Sequence, residues 1–300
     1  MNDERELVIN WFPGHMKRAM DQIREYLPLC DAIVYVLDGR APLSCLNPEF
    51  DELVQRKPTL FVLNKIDLTP NGTIDFFKKS EAFHEIKRKK GGAVAVISLD
   101  SRVSGSGKKL IDGLRTLLRE RLENARAKGV IRPIRAIVIG VTNSGKSTLI
   151  NNLAKKAKTI TGDRPGVTRT KQWISIGEAG IVEKGSRQGA PSNTFWILDT
   201  PGTLWPRLED QNIAKNLAYL GSIKDDILDI VAVARSLLLR LEQLQKGSVL
   251  ARFGTLEFDD IARKRGLVLK AGQIDEERTA KAILGDFREG RIGRFNLDKI

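Results

Sequence analysis

The sequence predicts an α/β fold built on a doubly wound, mostly parallel sheet and followed by a smaller all-helical region. Three observations carry this prediction. Short apolar runs rich in β-branched residues alternate with helical patterns, a glycine-rich turn lies between one such run and a helix, and strand signals stop after about Leu208. A chain of 300 residues is long enough for one large domain, or for a medium domain carrying a smaller one.

Taken in order, residues 33–37, 59–63, 93–97, 134–139 and 195–198 are apolar runs that read as buried strands. Helices are expected between them at 16–26, 48–55, 76–90, 107–128 and 146–156, with Gly91-Gly92 and Gly129 as stops. Residues 173–176 pair with 195–198 as an antiparallel hairpin whose tip, 180–193, is rich in Gly, Ser and Pro. Beyond this, Ile227, Ile230, Val231, Ala234, Leu237, Leu238 and Leu241 recur with helical period. The chain therefore divides into an α/β domain over 1–212 and a helical domain over 213–300.

The formal charge of +13 points to a polyanionic partner, since Lys and Arg gain free energy by displacing counterions from phosphates. The basic residues are grouped, at Lys87-Arg88-Lys89-Lys90, Lys155-Lys156-Lys158, Arg263-Lys264-Arg265 and Arg288-Arg291-Arg294, so nucleic acid ranks above a merely soluble basic protein. Cys30 and Cys45 stand apart from each other and from any His cluster, which argues against a disulfide framework or a zinc site and fits a reducing cytosol. The acidic N-terminus is unlike a signal peptide, and the apolar stretch 227–241 is broken by Asp229, Arg235 and Arg240. A soluble, cytoplasmic protein without membrane association is expected.

Residues 140–147, Gly-Val-Thr-Asn-Ser-Gly-Lys-Ser, match the phosphate-loop pattern GxxxxGK[ST] between the 134–139 strand and a helix. A chance match in a chain of this length has a probability on the order of one per cent before that context is counted. Asn143, Ser144, Gly145, Lys146, Ser147 and Thr148 are expected to cradle phosphates: backbone N–H groups and the helix dipole face the anion, Lys146 neutralises β and γ oxygens, and the Ser147 hydroxyl ligates Mg²⁺. At 104–109, Ser-Gly-Ser-Gly-Lys-Lys is a decoy, with Arg102 where the first glycine belongs and Lys109 where Ser or Thr belongs. Asp199-Thr200-Pro201-Gly202 follows a strand, which sets Asp199 to hold Mg²⁺ through water and Gly202 to follow the γ-phosphate. In the loop 162–170, Thr168 is the expected metal ligand, with Thr170 the alternative register.

Asn64-Lys65-Ile66-Asp67, an NKxD motif, follows a buried strand and so lies at the carboxyl edge where doubly wound sheets bind ligands. The Asp67 carboxylate can accept hydrogen bonds from guanine N1–H and its exocyclic amine, whereas adenine offers an acceptor at N1 and no amine there. Ser98, after the 93–97 strand, is placed to support the base. GTP and GDP are the implied ligands.

In this chain NKxD precedes the phosphate loop, the reverse of the usual order. Together with Trp11-Phe12-Pro13-Gly14-His15-Met16, the segment 38–42, Asn47-Pro48, Gly162-Asp-Arg-Pro-Gly166 and Leu204-Trp205-Pro206, the motifs resemble those of the circularly permuted GTPases, specifically the ribosome biogenesis GTPase A family. The resemblance covers essentially the whole chain. It implies a circularly permuted G domain that hydrolyses GTP in late assembly of the large ribosomal subunit, binding its rRNA or precursor particle, and a chain that is monomeric off the ribosome. It also implies that His15 orients or deprotonates water when the particle docks, and that Asn143 ligates a stimulating K⁺. Thr203 stands where signalling GTPases carry glutamine and family members an apolar residue; Leu204 beside it is the apolar candidate. Against this reading stand a small-molecule P-loop kinase, an unpermuted signalling GTPase and an RNA-associated GTP-binding scaffold with little turnover.

Overall fold

The computed structural model describes residues 9, 16–89, 93–129, 133–156, 173–176, 194–205 and 207–299. Among them six strands, β1 (Ala32–Asp38), β2 (Thr59–Asn64), β3 (Val94–Ser98), β4 (Ile134–Ile139), β5 (Trp173–Ile176) and β6 (Phe195–Leu198), form one sheet in the spatial order β3-β2-β1-β4-β6-β5. Every pairing is parallel except β5 with β6, the antiparallel hairpin. The chain winds outward from β1 to β3, then returns to the other side of β1 as β4. This reversal makes the carboxyl ends of β1 and β4 a topological switch point, where α/β sheets bind ligands. The expected hairpin tip, 180–193, lies outside the described residues.

Because strand side chains alternate, each strand feeds two apolar cores. Ile33, Tyr35, Leu37, Phe61, Leu63, Ile137 and Ile139 face one, and Val34, Val36, Leu60, Val62, Ala136 and Val138 the other. The first face is covered by α1 (Met16–Tyr26), α2 (Asp51–Arg56), α3 (Thr73–Lys79) and α4 (Glu81–Lys89), and the second mainly by α5 (Ser106–Leu117), with α6 (Arg119–Ala127) and α7 (Lys146–Lys156). Two helices expected as continuous are divided. The 76–90 span is α3 and α4, broken at Ser80, whose extended backbone ends α3 while its hydroxyl accepts from Phe83 N. The 107–128 span is α5 and α6, broken at Leu118. Gly129, with φ 65°, follows α6 in the left-handed conformation that favours glycine.

The C-terminal part is α8 (Gln211–Tyr219), α9 (Ile230–Leu244), α10 (Ser248–Phe253), α11 (Phe258–Lys264) and α12 (Glu276–Arg288). Asp210, Asp229 and Asp275 accept backbone N–H groups at the starts of α8, α9 and α12, each cap contributing about 1 kcal/mol. These helices share one apolar cluster with the first sheet face, in which Leu217, Leu237, Ile283 and Phe287 join Tyr35, Phe61 and Ile137. The tail stitches them to the sheet: Leu297 N donates to Arg40 O at 2.7 Å, and the Asp298 carboxylate accepts from Leu43 N and the Ser44 hydroxyl at 2.6 and 2.5 Å. Among the described residues no helix is long and apolar enough to cross a membrane.

Candidate nucleotide site

At the base end, parallel register sets Asp38 beside Asn64 where β1 and β2 finish. Asn64 is wholly buried and acts as a staple. Its Nδ2 donates to Ser144 O at 2.8 Å and to Ser101 Oγ at 3.3 Å, while its Oδ1 accepts from Ser101 N at 2.9 Å. A Cβ at Gly145 (φ 95°) would come within 2.1 Å of that Nδ2, so the staple and the glycine require each other. Lys65 takes the left-handed conformation, φ 55°, and its ammonium donates to Asn143 O at 2.7 Å and pairs with Asp38 at 2.9 Å. Asp67 keeps Oδ1 buried and unpartnered, and Oδ2 accepts from Arg102 Nη2 at 2.5 Å. An orphaned carboxylate oxygen is what recognition of guanine N–H groups requires.

At the phosphate end, a cleft of about 840 Å³ is lined by Lys65, residues 142–143 and 145–148, residues 199–202, Leu220 and Arg288. Lys146 is buried and donates to Gly140 O at 3.0 Å and Val141 O at 2.7 Å. Burial pushes its ammonium down to about 8, with Asp199 opposing. Asp199 Oδ1 is buried without a partner, and burial raises its carboxyl against the opposing pull of Lys146. One orphaned hard oxygen beside the exposed Ser147 hydroxyl and a phosphate cleft suits Mg²⁺, which takes few protein oxygens and completes its shell with water and phosphate. Gly202 runs against the phosphate loop, since a Cβ there would lie 2.7 Å from Thr142 Cα and 2.9 Å from Lys146 Nζ. Thr203 is 0% exposed and its hydroxyl has no partner, so it cannot reach an attacking water from this position. Leu204 is buried as well.

The far wall of the cleft belongs to the helical region. Thr142 Oγ1 donates to Ser222 O, Ser222 Oγ donates to Thr142 O at 2.9 Å, and Asn143 Nδ2 donates to Gly221 O at 2.5 Å. Arg288 holds the segment after α8 in place: it donates to Ala218 O and Tyr219 O at 3.0 and 3.1 Å and grips Asp225 with two 2.7 Å bonds. Arg40, also buried, chelates Asp38 and donates to Phe287 O and Arg288 O at 3.2 Å. Burial alone would raise the Asp38 carboxyl, but Arg40 and Lys65 outweigh it and hold it well below the carboxylate range.

The structure thus gathers Asn64, Lys65, Asp67, Asn143, Ser144, Gly145, Lys146, Ser147, Thr148, Asp199 and Gly202 along one sheet edge. Ser98 ends β3 opposite Leu63 with no side-chain bond among the described residues; Ser101, three residues on, makes the contacts to Asn64. His15, Thr168, Thr170 and the 162–166 segment lie outside the described residues. Sequence reasoning missed Ser101, Arg102 and the wall formed by Gly221, Ser222 and Arg288. The segment 38–42 was a signal for Asp38 and Arg40, but not for what they hold.

The chain resembles known proteins over nearly its whole length. Residues 135–252 match the family described as 50S ribosome-binding GTPase. Ribosome biogenesis GTPase A of Priestia megaterium is 36% identical to the chain, covering 97% of both. The protein of that name from Thermotoga maritima is 30% identical, covering 97% of this chain and 94% of its own. A solved structure described as GNP-bound YlqF from T. maritima superposes with a TM-score of 0.61 at 26% identity, covering 93% of this chain and 97% of that one. A GDP-bound structure of the same protein gives 0.59 at 27% identity, covering 92% and 98%.

Proposed function

The chain belongs to the ribosome biogenesis GTPase A family and is a GTPase of ribosome biogenesis, and from this we infer that it acts in late assembly of the large (50S) ribosomal subunit. It binds rRNA in the precursor particle, hydrolyses GTP when docked and leaves as GDP forms. The observation that carries this reading is the wall of the cleft: the loop that holds phosphates is hydrogen-bonded directly to the helical region through Gly221 and Ser222. A particle that grips the helical region can thereby act on the phosphate loop, and nucleotide state can act back.

Within this reading Asp67 selects guanine, Lys65 lies along the nucleotide and Ser98 supports the base from the end of β3. Residues 143–148 cradle the phosphates, Lys146 turning from the Gly140 and Val141 carbonyls to the β and γ oxygens, and Gly202 follows the γ-phosphate. Mg²⁺ would be held by Ser147 and Thr168, with Asp199 acting through water, and supplies charge neutralisation at the transferring phosphate. The Asn143 amide nitrogen is engaged by Gly221, which leaves its oxygen for K⁺. With Thr203 buried, orientation of the attacking water falls to His15. The protein works in the cytoplasm, as a monomer when off the ribosome.

GTP turnover measured with and without large-subunit particles, in KCl and in NaCl, tests this for wild type and His15→Ala. Stimulation by particles, greater in KCl and lost in the variant, is expected. Absence of stimulation by particles would sink the assembly role and favour a GTP-binding scaffold; equal stimulated rates in the variant would remove His15 from catalysis. Asp67→Asn should shift preference from guanosine to xanthosine nucleotide.

A further inference from the structure

We infer that Arg252, Arg265 and Arg291, gathered around the buried carboxylate of Asp286, form a binding site for backbone phosphates of RNA, remote in function from the nucleotide cleft. The inference rests on the reading that the chain engages RNA, and it names where.

Asp286 lies on α12 with its side chain 3% exposed. Its Oδ2 accepts from Arg252 Nε, at the end of α10, at 2.8 Å and from Arg265 Nη2, just after α11, at 2.6 Å. Its Oδ1 accepts from Arg291 Nε at 2.7 Å. Burial pushes the Asp286 carboxyl up, but hydrogen bonds from the three arginines outweigh this and lower it, so it stays charged. Arg265 is further fixed by lying over the Phe253 ring, 4.8 Å from its centroid. Lys264 donates to Gly254 O at 2.5 Å, at the same corner between α10 and α11. Among the described residues, the one other acid paired into the group is the exposed Glu289, on Arg291. Four cations therefore meet two carboxylates.

A staple joining α10, α11 and α12 needs one guanidinium, or a neutral amide, and three mutually repelling ones are an expensive way to make it. The cluster also leaves donors over. A guanidinium carries five N–H groups, and Arg252 and Arg265 each give one to Asp286; the rest meet no acceptor among the described residues. These side chains are 34% and 28% exposed, and Arg291 is 42% exposed, enough for an anion to reach them from solvent. Guanidiniums fixed in advance by a buried carboxylate lose little entropy on closing over a phosphate, and their planar fork matches its oxygens. RNA is favoured over an acidic protein by the chain's +13 charge and by its place in ribosome biogenesis.

The test is binding of a short fluorescent RNA duplex to the full chain over a series of KCl concentrations. Arg265→Gln should weaken binding roughly tenfold at low salt and flatten the dependence of log K on log[KCl] by about one. Arg265→Lys should recover only part of the loss, because it restores charge without the fork. Arg278→Gln, which removes an exposed charge elsewhere on α12, should change affinity less than about twofold. Unstimulated GTP turnover should stay at the wild-type rate, and should the Arg265 variant not fold, Arg252→Gln still leaves two arginines on Asp286. Losses no greater than that of Arg278→Gln would overturn the site. So would displacement of the RNA by an acidic peptide at constant ionic strength. Failure of particles to stimulate wild-type turnover, with the RNA effect intact, would instead sink the assembly reading alone.

Discussion

The two ends of the nucleotide cleft are held by different means. At the base end, Asn64 ties the phosphate loop to Ser101 across two strands of one sheet, and every partner belongs to the α/β unit. At the phosphate end, Thr142 and Asn143 are bonded to residues 221 and 222, which Arg288 in turn anchors from the end of α12. The base end is set chiefly by the sheet and meets the helical region indirectly, through Arg40 on Asp38 and through the Leu68 carbonyl, so the Asn64 staple should depend little on what the helical region does. The phosphate end has a second master. The common order of motifs would place a G domain's own elements there; the permuted chain instead runs from Gly202 through α8 straight into the segment that grips the loop.

The largest effect should come from breaking the base end. In Gly145→Ala the new Cβ meets Asn64 Nδ2 at a backbone angle that L residues avoid. We expect about 3 kcal/mol, a loss on the order of 100-fold in GTP affinity, because either the staple or the loop must move. Isothermal titration measures the affinity and a thermal melt checks the fold. Affinity within twofold of wild type would mean that the Asn64 staple does not set the loop.

Next in size is a pH effect at the phosphate end. Lys146 is lowered to about 8 in the free protein, principally by burial, and binding phosphates would raise it again. Below about 8 the group is charged in both states and pH does nothing; above it, the free lysine is neutral and binding must take up a proton. GTP affinity should therefore fall as pH rises from about 8, by up to tenfold per unit, while remaining level between about 6 and 7.5. Titrations in buffers of different ionisation enthalpy would count the proton. A flat profile would show that the Gly140 and Val141 carbonyls keep this lysine charged.

Cutting the second master should give a smaller and local change. Ser222→Ala removes one of the bonds to Thr142, worth about 1 kcal/mol, or roughly fivefold in affinity. Amide exchange should quicken over residues 140–146 and stay unchanged over 64–67. Faster exchange at both ends would erase the distinction drawn between them.

How much of this was legible follows the same division. The sheet and the base end could be read because their information is local: alternating β-branched runs, and motifs whose residues are consecutive. The wall could not, because Arg40 and Arg288 reach partners 247 and 63 residues away, and spacing along a chain says nothing about such pairs. Ser80 and Leu118 hid helix breaks for a related reason, since Ser80 breaks α3 from α4 by a local hydroxyl bond and Leu118 is an apolar residue in apolar register. His15 and Thr168 stand on sequence and family resemblance alone.

Arg102 is the residue that sequence reading treated only as a mismatch, and it carries the smallest prediction. Its guanidinium bridges Asp100 and Asp67, occupying the one oxygen of Asp67 that is not already free for guanine. Guanine uses both oxygens, so the base must displace the arginine. The pair is exposed on the arginine side, and pairs of that kind are worth about 0–1 kcal/mol and are screened by salt. Arg102→Ala should therefore raise GTP affinity by no more than about fivefold in low salt, with the gain vanishing near 1 M KCl. Because Asn64 and Asp38 are buried and Lys65 is only 23% exposed, this pair is the part of the base end that should respond most to ionic strength. Weaker binding in the variant would mean that the displaced guanidinium moves onto the bound base and helps to hold it, which makes the base end adjustable after all.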